Sequence, residues 1–189
     1  MNAPLDLKMD KVSFLGWVQH QEGKWELIGG RPVMQQNPKR VHGDVARNLD
    51  DALRKRLDRK VWSVRRGDIS VEVGEETRLP DVMVEPAGLP SDELTTDAPA
   101  FICEVLSPSS MRTDFRDKPA LYFTIASLEA YVVLSQSEPY AWVWQRGTQA
   151  PRPFPDQPDE LDGPDRVLTL AHWGFAIPLA EIYEGIVWR

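Results

Sequence analysis

The chain has 189 residues, of which 42% are hydrophobic and 27% are charged, and that composition is typical of one globular domain with a substantial core. Cys103 is its only cysteine, which excludes an internal disulfide and a zinc site built from several thiolates. No stretch approaches the roughly 20 apolar residues that span a bilayer, and the first residues lack the apolar core of a secretory signal, so we expect a cytoplasmic protein without membrane contact.

Charge is distributed unevenly along the chain. The net charge of −7 argues against a general nucleic-acid binder. Residues 39–66, however, contain ten Lys/Arg and four acids, a net charge of +6, which leaves −13 on the remainder. The basic segment indicates either a surface that contacts a phosphate backbone or a solvated helix face with local ion pairs, and the composition does not choose between them.

The first third of the sequence predicts a helix, a hairpin and a longer helix. A capping residue, Asp10, precedes an apolar pattern that predicts a helix to about His20. Residues 25–28 and 31–34 predict two strands joined by a Gly-Gly turn. Apolar residues recur at three- and four-residue steps across 41–58, which predicts an amphipathic helix.

The rest of the sequence predicts short strands with one more helix between them. The strand-like segments are residues 61–64, 69–73, 81–85, 101–106, 131–134 and 140–145, with closing stretches at 167–170 and 177–182. Residues 74–77 are typical of a turn and residues 86–99 of an exposed loop. Residues 107–110 (Ser-Pro-Ser-Ser) end the strand before them, and a helix is predicted at 113–126 with Pro119 in its first turn.

One segment departs from this regular order. Residues 150–165 hold five prolines and five acids, which predicts a mobile loop or an appendage. The order of the other elements predicts a mixed β-sheet flanked by helices, of the α/β or α+β class, in a single domain over residues 1–189.

Glu104 is the residue that most needs a chemical explanation. Side chains alternate faces along a strand, so Glu104 shares a face with Ile102 and Leu106 in a segment that reads as a central strand. Burying an isolated carboxylate is costly, so this side chain must find a cation, a metal ion or a proton.

Asp81 and Lys118 can complete a site around Glu104. Asp81 opens another predicted strand, and if the two strands pair, the carboxylates meet at one end of the sheet. A divalent cation relieves the repulsion between two such carboxylates, and Mg²⁺ prefers hard oxygen ligands together with several waters. Lys118, on the helix after the Glu104 strand, can orient an attacking water and stabilise developing negative charge.

Each of these residues also has a plain structural interpretation. An aspartate at a strand start, such as Asp81, is often a turn or cap residue. Glu104 can pair with an arginine or lysine of the core. Lys118 can be a helix-surface lysine bonded to Asp114 four residues earlier. The residues by themselves leave both interpretations open.

An ordered series of segments resembles the Uma-two family of restriction-endonuclease-like proteins. The segments are Trp25-Glu26-Leu27-Ile28, Asp68 before Ile69-Ser70-Val71, Leu79-Pro80-Asp81-Val82-Met83-Val84, Ile102 to Ser110, Asp114, Asp117-Lys118, Leu121-Tyr122, and Ile177 to Tyr183. The resemblance covers roughly residues 10–145 and 166–185, and the run from Glu104 to Tyr122 is its most specific part.

The resemblance implies the fold of the PD-(D/E)xK nuclease superfamily, a restriction-endonuclease-like mixed sheet flanked by helices. It implies that Asp81 and Glu104 bind the metal ion and that Glu26 is a further catalytic residue, in contact with the metal or a water. The usual lysine, two residues after the second acid, is replaced here by Leu106, and Lys118 on the next helix matches the family's alternative.

Supporting roles are implied for three more residues, His42, Asp68 and Asp114. The functional hypothesis is an endonuclease that hydrolyses DNA with Mg²⁺ or Mn²⁺ and acts as a homodimer. The alternative is a nuclease-fold module that binds or regulates without catalysis, as the leucine at the usual lysine position and the overall acidity favour. A hydrolase using the carboxylates as acid and base is the third reading.

Overall fold

Three β-sheets and four α-helices build the fold in this computed structural model, which describes residues 7–107, 113–147, 149 and 151–188. The helices are α1 (Lys11–Val18), α2 (Arg40–Arg56), α3 (Lys118–Tyr122) and α4 (Leu179–Ile182), and a π-helical turn (Thr113–Asp117) leads directly into α3. The strands are β1 (Trp25–Ile28), β2 (Arg31–Met34), β3 (Trp62–Arg65), β4 (Ser70–Val73), β5 (Glu76–Arg78), β6 (Val82–Pro86), β7 (Thr95–Thr96), β8 (Phe101–Leu106), β9 (Ala130–Ser135), β10 (Tyr140–Gln145), β11 (Asp159–Asp162), β12 (Val167–Leu170) and β13 (Phe175–Pro178). The mixed α+β class predicted from the order of elements is confirmed.

The largest sheet has six strands in the order β11-β10-β9-β8-β6-β3. Its neighbouring strands are antiparallel except β8 and β9, which run parallel with Phe101 beside Ala130. A parallel pair needs a crossover connection, and the segment that carries the π-helical turn and α3 provides it. Every residue of β8 and β9 is buried, as the apolar sequence of β8 predicted for a central strand.

Alternation along β8 divides the core between the two faces of this sheet. Phe101, Cys103 and Val105 belong to an apolar cluster with α2 and the C-terminal strands. Ile102 belongs to a second cluster, rich in aromatic side chains, on the opposite face. By the same alternation Glu104 faces the second cluster, so its carboxylate projects from an apolar wall.

The amphipathic helix predicted over 41–58 is α2, and its apolar stripe packs on the sheet. Val45, Leu49 and Leu53 are buried there, and each such side chain stabilises the fold by about 2 kcal/mol. The opposite face of α2 is charged, and none of the helices in the described part of the chain has the length and apolarity of a membrane span.

The predicted N-terminal hairpin belongs to a second sheet, with the order β2-β1-β5-β4-β7. β1 and β2 pair with Trp25 opposite Met34. Gly29 and Gly30 have φ of 57° and 73°. A two-residue hairpin turn of type I′ requires positive φ at both central residues, which glycine adopts without strain.

β5 lies where the sequence predicted a turn. Gly74 and Glu75 do form that turn, but Glu76–Arg78 pairs with β4 on one side and with β1 on the other. The three residues show no apolar alternation, so the flanking strands rather than local propensity make this segment a strand.

The helix predicted over 113–126 is shorter and less regular than expected. It begins as the π-helical turn and ends at Tyr122. Pro119 gives a physical reason, because its ring lacks an N–H and clashes with the carbonyl four residues earlier, which favours a wider turn before it. A strand break was predicted at residues 107–110. β8 ends at Leu106, just before Ser107, and residues 108–110 lie outside the part of the chain that the structure describes.

Two predicted loops contain short strands. Within residues 86–99, Thr95–Thr96 pairs in parallel with β4. Within residues 150–165, Asp159–Asp162 pairs with β10 at the edge of the six-stranded sheet. The acids of this edge strand are exposed, and charge on an edge discourages pairing with another chain. The predicted closing stretch 177–182 divides into the end of β13 and α4.

Candidate active site

Two carboxylates meet at one end of the β6–β8 pair. Val82 lies opposite Cys103 in this antiparallel pair, so Asp81, the residue before β6, is opposite Glu104. Asp81 Oδ2 accepts a hydrogen bond from the backbone N–H of Val105 at 2.7 Å, which holds its side chain beside β8. The strand pairing that the sequence argument required is therefore present.

Glu104 is 4% exposed, and its Oε1 has two partners. Lys118 Nζ lies 2.8 Å from this oxygen, and the hydroxyl of Tyr122 donates to it at 3.1 Å. Lys118 is itself buried, so it is not a helix-surface lysine. Leu106, two residues after Glu104, packs in the aromatic-rich cluster, and the ammonium at the carboxylate comes from α3.

Asp114 is a third acid at this position. It lies on the π-helical turn, four residues before Lys118, and its Oδ1 is 2.9 Å from Lys118 Nζ. This distance is that of an ion pair, and the buried oxygen has no hydrogen-bond partner within the described chain. A buried oxygen with unfilled lone pairs is suited to a cation or a bound water.

Burial and two neighbouring carboxylates raise the pKa of Glu104. Burial is the largest cause, Lys118 opposes it, and the charges of Asp81 and Asp114 reinforce it. Burial favours a lower pKa for Lys118, but the carboxylates of Glu104 and Asp114 outweigh it, so the pKa of Lys118 is well above its ordinary value. Three acids thus share one ammonium, and a proton or a metal cation can neutralise the excess negative charge.

His42 and Glu26 lie next to this cluster. His42 Nε2, in the first turn of α2, is 2.9 Å from Asp81 Oδ1. Glu26 is buried, its Oε1 accepts a hydrogen bond from the backbone N–H of Leu79 at 2.9 Å, and its Oε2 is 3.9 Å from Arg78 Nη1. Both side chains therefore contact the segment that leads into β6.

Asp68 is the predicted site residue that the structure places elsewhere. Its side chain is 56% exposed in the loop before β4, where Oδ1 accepts a hydrogen bond from the backbone N–H of Arg66 and Oδ2 lies 3.9 Å from Arg65 Nη1. These contacts are those of a loop-stabilising aspartate.

A cavity of about 510 Å³ joins the other predicted residues. The acids that line it are Glu26, Asp81, Glu104 and Asp114, and the basic residues are Lys24, Lys39, His42, Arg78 and Lys118. A smaller concavity of about 260 Å³ lies beside Arg65 and Glu85 and contains none of the predicted catalytic residues. Arg78 was missed by the sequence reasoning, although it stands three residues before Asp81, because β5 was not predicted.

The donor set of the cavity suits Mg²⁺ or Mn²⁺ better than zinc. Within the described residues no three His, Cys, Asp or Glu side chains converge as a metal cage. Mg²⁺ does not need one, because it binds through one or two carboxylates and keeps several waters. Asp81 and Glu104 supply such carboxylates, and Oδ1 of Asp114, which is ion-paired with Lys118 but has no hydrogen-bond partner among the described residues, adds a hard oxygen nearby.

The basic segment 39–66 is largely engaged in ion pairs. At least five of its ten cations have acidic partners in the described chain: Arg47 with Asp44, Arg54 with Asp50, Lys55 and Arg56 with Glu181, and Arg65 with Glu85. Two of these pairs lie along α2 and the others reach α4 or β6, so the segment is largely tied to the fold by ion pairs. Lys39, which precedes α2, is exposed at the cavity.

Comparisons with known proteins bear on the family of this chain. A crystal structure of a protein described as a putative nuclease belonging to DUF820, from Anabaena variabilis, shares the fold with a TM-score of 0.73 at 14% identity, over 93% of this chain and 97% of that chain. Identity this low shows the fold alone. No curated protein matches the chain. The family model Uma2, described as "Putative restriction endonuclease", matches residues 12–176, so the chain belongs to the Uma2 family, as its sequence motifs predicted.

Proposed function

We propose that this protein is an endonuclease that hydrolyses phosphodiester bonds of DNA with the help of Mg²⁺ or Mn²⁺. The observation that carries the proposal is a buried carboxylate, Glu104, with Asp81 opposite it just before the neighbouring strand and Lys118 in contact, at the wall of an open cavity. The family match and the shared fold support a nuclease-like function. The choice of Mg²⁺ or Mn²⁺ as the metal ion and of DNA as the substrate is argued from the chemistry of the residues that line the cavity.

Asp81 and Glu104 are the residues that would hold the metal ion. When bound there, Mg²⁺ supplies a Lewis acid that polarises a phosphoryl oxygen and makes a bound water more acidic. The contact of His42 Nε2 fixes one oxygen of Asp81, and the N–H of Val105 fixes the other. The first carboxylate is thus oriented before any ligand arrives, which limits the reorganisation that binding requires.

Lys118 is the residue that would act on the reacting groups. Its ammonium remains protonated because Glu104 and Asp114 raise its pKa, so it serves as a hydrogen-bond donor and a positive charge rather than as a base. From its position at Glu104 it can orient the attacking water and stabilise the negative charge that develops on the phosphorus oxygens. Lys24 and Lys39, exposed at the cavity, would meet the flanking phosphates.

We extend the proposal to a homodimer acting in the cytoplasm. An enzyme with one catalytic centre cuts one strand at a time, and a two-fold dimer presents two centres to the two strands of a duplex. Light scattering combined with size-exclusion chromatography measures the molar mass. A monomer at every concentration used in the cleavage assays would refute the homodimer.

Plasmid cleavage tests the central proposal. We expect the protein to nick supercoiled DNA in Mg²⁺ or Mn²⁺ but not in EDTA, and we expect Glu104→Gln to lose at least about 100-fold of that rate. Glutamine keeps the size of the side chain and its contact with Tyr122 while removing the charge. Glu72→Gln is the matched control, since Glu72 pairs with Lys11 away from the cavity. Unreduced cleavage by Glu104→Gln would refute the assignment.

The second candidate is a nuclease-fold module that binds nucleic acid without cleaving it. The observation that favours it is the double contact of Lys118 with Glu104 and Asp114, which ties this ammonium to two carboxylates of the protein. It predicts DNA affinity that does not depend on Mg²⁺ and does not change in Asp81→Asn. Calorimetric titration with Mg²⁺ separates the two candidates. The nuclease predicts a heat of Mg²⁺ binding that disappears in Asp81→Asn, and the binding module does not.

A further inference from the structure

A second buried cation, Arg78, lines the same cavity as Lys118. One edge of its guanidinium is held firmly: Nε and Nη2 both donate to Glu76 Oε2, at 3.1 and 2.6 Å. The other edge is not held in this way, because Nη1 is 3.9 Å from Glu26 Oε2, beyond hydrogen-bond distance.

The backbone around Arg78 fixes its place relative to the carboxylates. Leu27 is opposite Thr77 in the β1–β5 pair, so Glu26 is opposite Arg78. Glu76 is anchored in turn, since its Oε1 accepts a hydrogen bond from the N–H of Gly29 at 3.0 Å. Arg78 therefore has a fixed position at the start of the short segment that carries Asp81.

Arg78 faces the same cavity as Glu104, although the two residues belong to different sheets. The cavity therefore places a cation from the five-stranded sheet and the carboxylate from the six-stranded sheet on one wall.

An anionic substrate needs a cation in this cavity. The cavity is lined by four acids, which repel a phosphodiester. Lys118 is engaged by two carboxylates, and Lys24 and Lys39 are exposed to solvent, where their charges are screened. Arg78 is the other buried cation among the described residues of the cavity wall, and only one edge of its guanidinium is held by hydrogen bonds to a carboxylate, that of Glu76. A guanidinium matches the geometry of two phosphate oxygens.

Resting on the proposed nuclease function, we propose that Arg78 binds the non-bridging oxygens of the substrate phosphate through its Nη1 edge. Glu76 holds the opposite edge, and Glu26 is a positioning residue that orients the guanidinium and, through the N–H of Leu79, the segment toward Asp81. The competing explanation is purely structural: Arg78 would only fasten β5 to β1.

Salt dependence of DNA binding distinguishes the two explanations. Each phosphate contact adds about 0.9 to the magnitude of the slope of log affinity against log salt concentration. An arginine that only holds β5 against β1 makes no phosphate contact, so it does not change this slope. The probe is a short duplex DNA of mixed sequence, with every protein carrying Glu104→Gln so that no strand is cut in Mg²⁺. Fluorescence anisotropy is measured for this parent and for the parent with Arg78→Met, Arg78→Lys or Arg152→Met. Arg152 pairs with Glu129 outside the cavity and controls for the loss of one positive charge.

We expect Arg78→Met to weaken DNA binding about tenfold and to lower the slope by about 1. Arg78→Lys should keep the slope and bind several-fold more weakly, because a lysine retains the charge but not the planar fork. Arg152→Met should change neither quantity. Parental affinity and slope in folded Arg78→Met, as judged by circular dichroism, would overturn the proposal.

The remaining outcomes are also decisive. If Arg78→Met does not fold, Arg78→Lys decides, since parental affinity in that variant overturns the proposal and several-fold weaker binding supports it. If the wild type binds DNA without cutting it, the nuclease function fails while the slope still decides the role of Arg78. If the parent does not bind DNA even at low salt, both proposals fall.

Discussion

Charge is unbalanced among the residues around Glu104. Glu104 and Asp114 are buried, Asp81 is partly buried, and the ammonium of Lys118 contacts the first two. An uncompensated buried charge destabilises a fold more than a surface pair stabilises it. Loss of Lys118 should therefore harm folding, not only catalysis.

We expect Lys118→Met to lower the free energy of unfolding by about 3 kcal/mol in EDTA, because methionine keeps most of the volume but leaves two buried carboxylates without a cation. Adding Glu104→Gln should recover part of that loss. Lys11→Met is the matched control, with a loss below about 1 kcal/mol, since Lys11 pairs with Glu72 at a partly exposed position. Urea unfolding followed by tryptophan fluorescence measures all three variants. Equal losses in the two lysine variants would show that the buried charges are not unbalanced.

Between elements, α2 and α4 are joined by one arginine and one glutamate. Arg56 donates through Nη1 and Nη2 to the two carboxylate oxygens of Glu181, at 3.0 and 2.6 Å, and through Nε to the carbonyl of Ala176. Lys55 Nζ is 3.7 Å from the same carboxylate. A helix as short as α4 does not persist on its own, so such tertiary contacts hold it in place.

This pair predicts a dependence of stability on pH. Hydrogen bonds from Arg56 lower the pKa of Glu181, and burial opposes them. A carboxyl group with a lower pKa in the folded chain stabilises the fold above its unfolded-state pKa, and the contribution disappears as the pH falls toward the folded value. Glu181→Gln should cost about 1 kcal/mol near neutral pH and almost nothing in acid. Urea unfolding across that range checks this, and a cost that is constant with pH would contradict it.

Elements that are specified by a local sequence pattern could be predicted, and elements that depend on pairing with distant strands could not. β8 was predicted with its observed bounds and α2 within two residues, because an apolar run and a helical repeat are local signals. β5 was not predicted, because Glu76–Arg78 forms a strand only through its pairing with β1 and β4. Arg78 was therefore not recognised as a residue of the site. Glu104 was found because a carboxylate in an apolar strand violates the rule for buried residues.

In the whole molecule, β8 connects the two apolar clusters of the six-stranded sheet. Odd-numbered residues of the strand face one cluster and even-numbered residues the other, so neither face can open widely while β8 stays paired. Cys103 is fully buried at the middle of this strand, and it is the only thiol in the chain. Burial raises the pKa of Cys103 well above its ordinary value, so the thiol is unreactive in the folded protein.

Reaction of Cys103 with a disulfide reagent should therefore report global unfolding. We expect the free energy of opening from labelling rates in EDTA to agree with the free energy from urea unfolding to within about 1 kcal/mol, because exposing a central strand requires the whole sheet to separate. Rapid labelling of the folded protein would mean that β8 opens locally.

The same thiol can test for metal binding without any substrate. A ligand that binds only the folded chain slows opening by the factor one plus its concentration divided by its dissociation constant. If Asp81 and Glu104 hold Mg²⁺, labelling should slow progressively as Mg²⁺ is added, and the effect should be absent in Glu104→Gln and retained in Glu72→Gln. Equal slowing in both variants would assign the effect to general ionic stabilisation. Because Cys103 and Glu104 are adjacent on one strand, the site and the core cannot be opened independently, so protection by the metal must extend to the thiol.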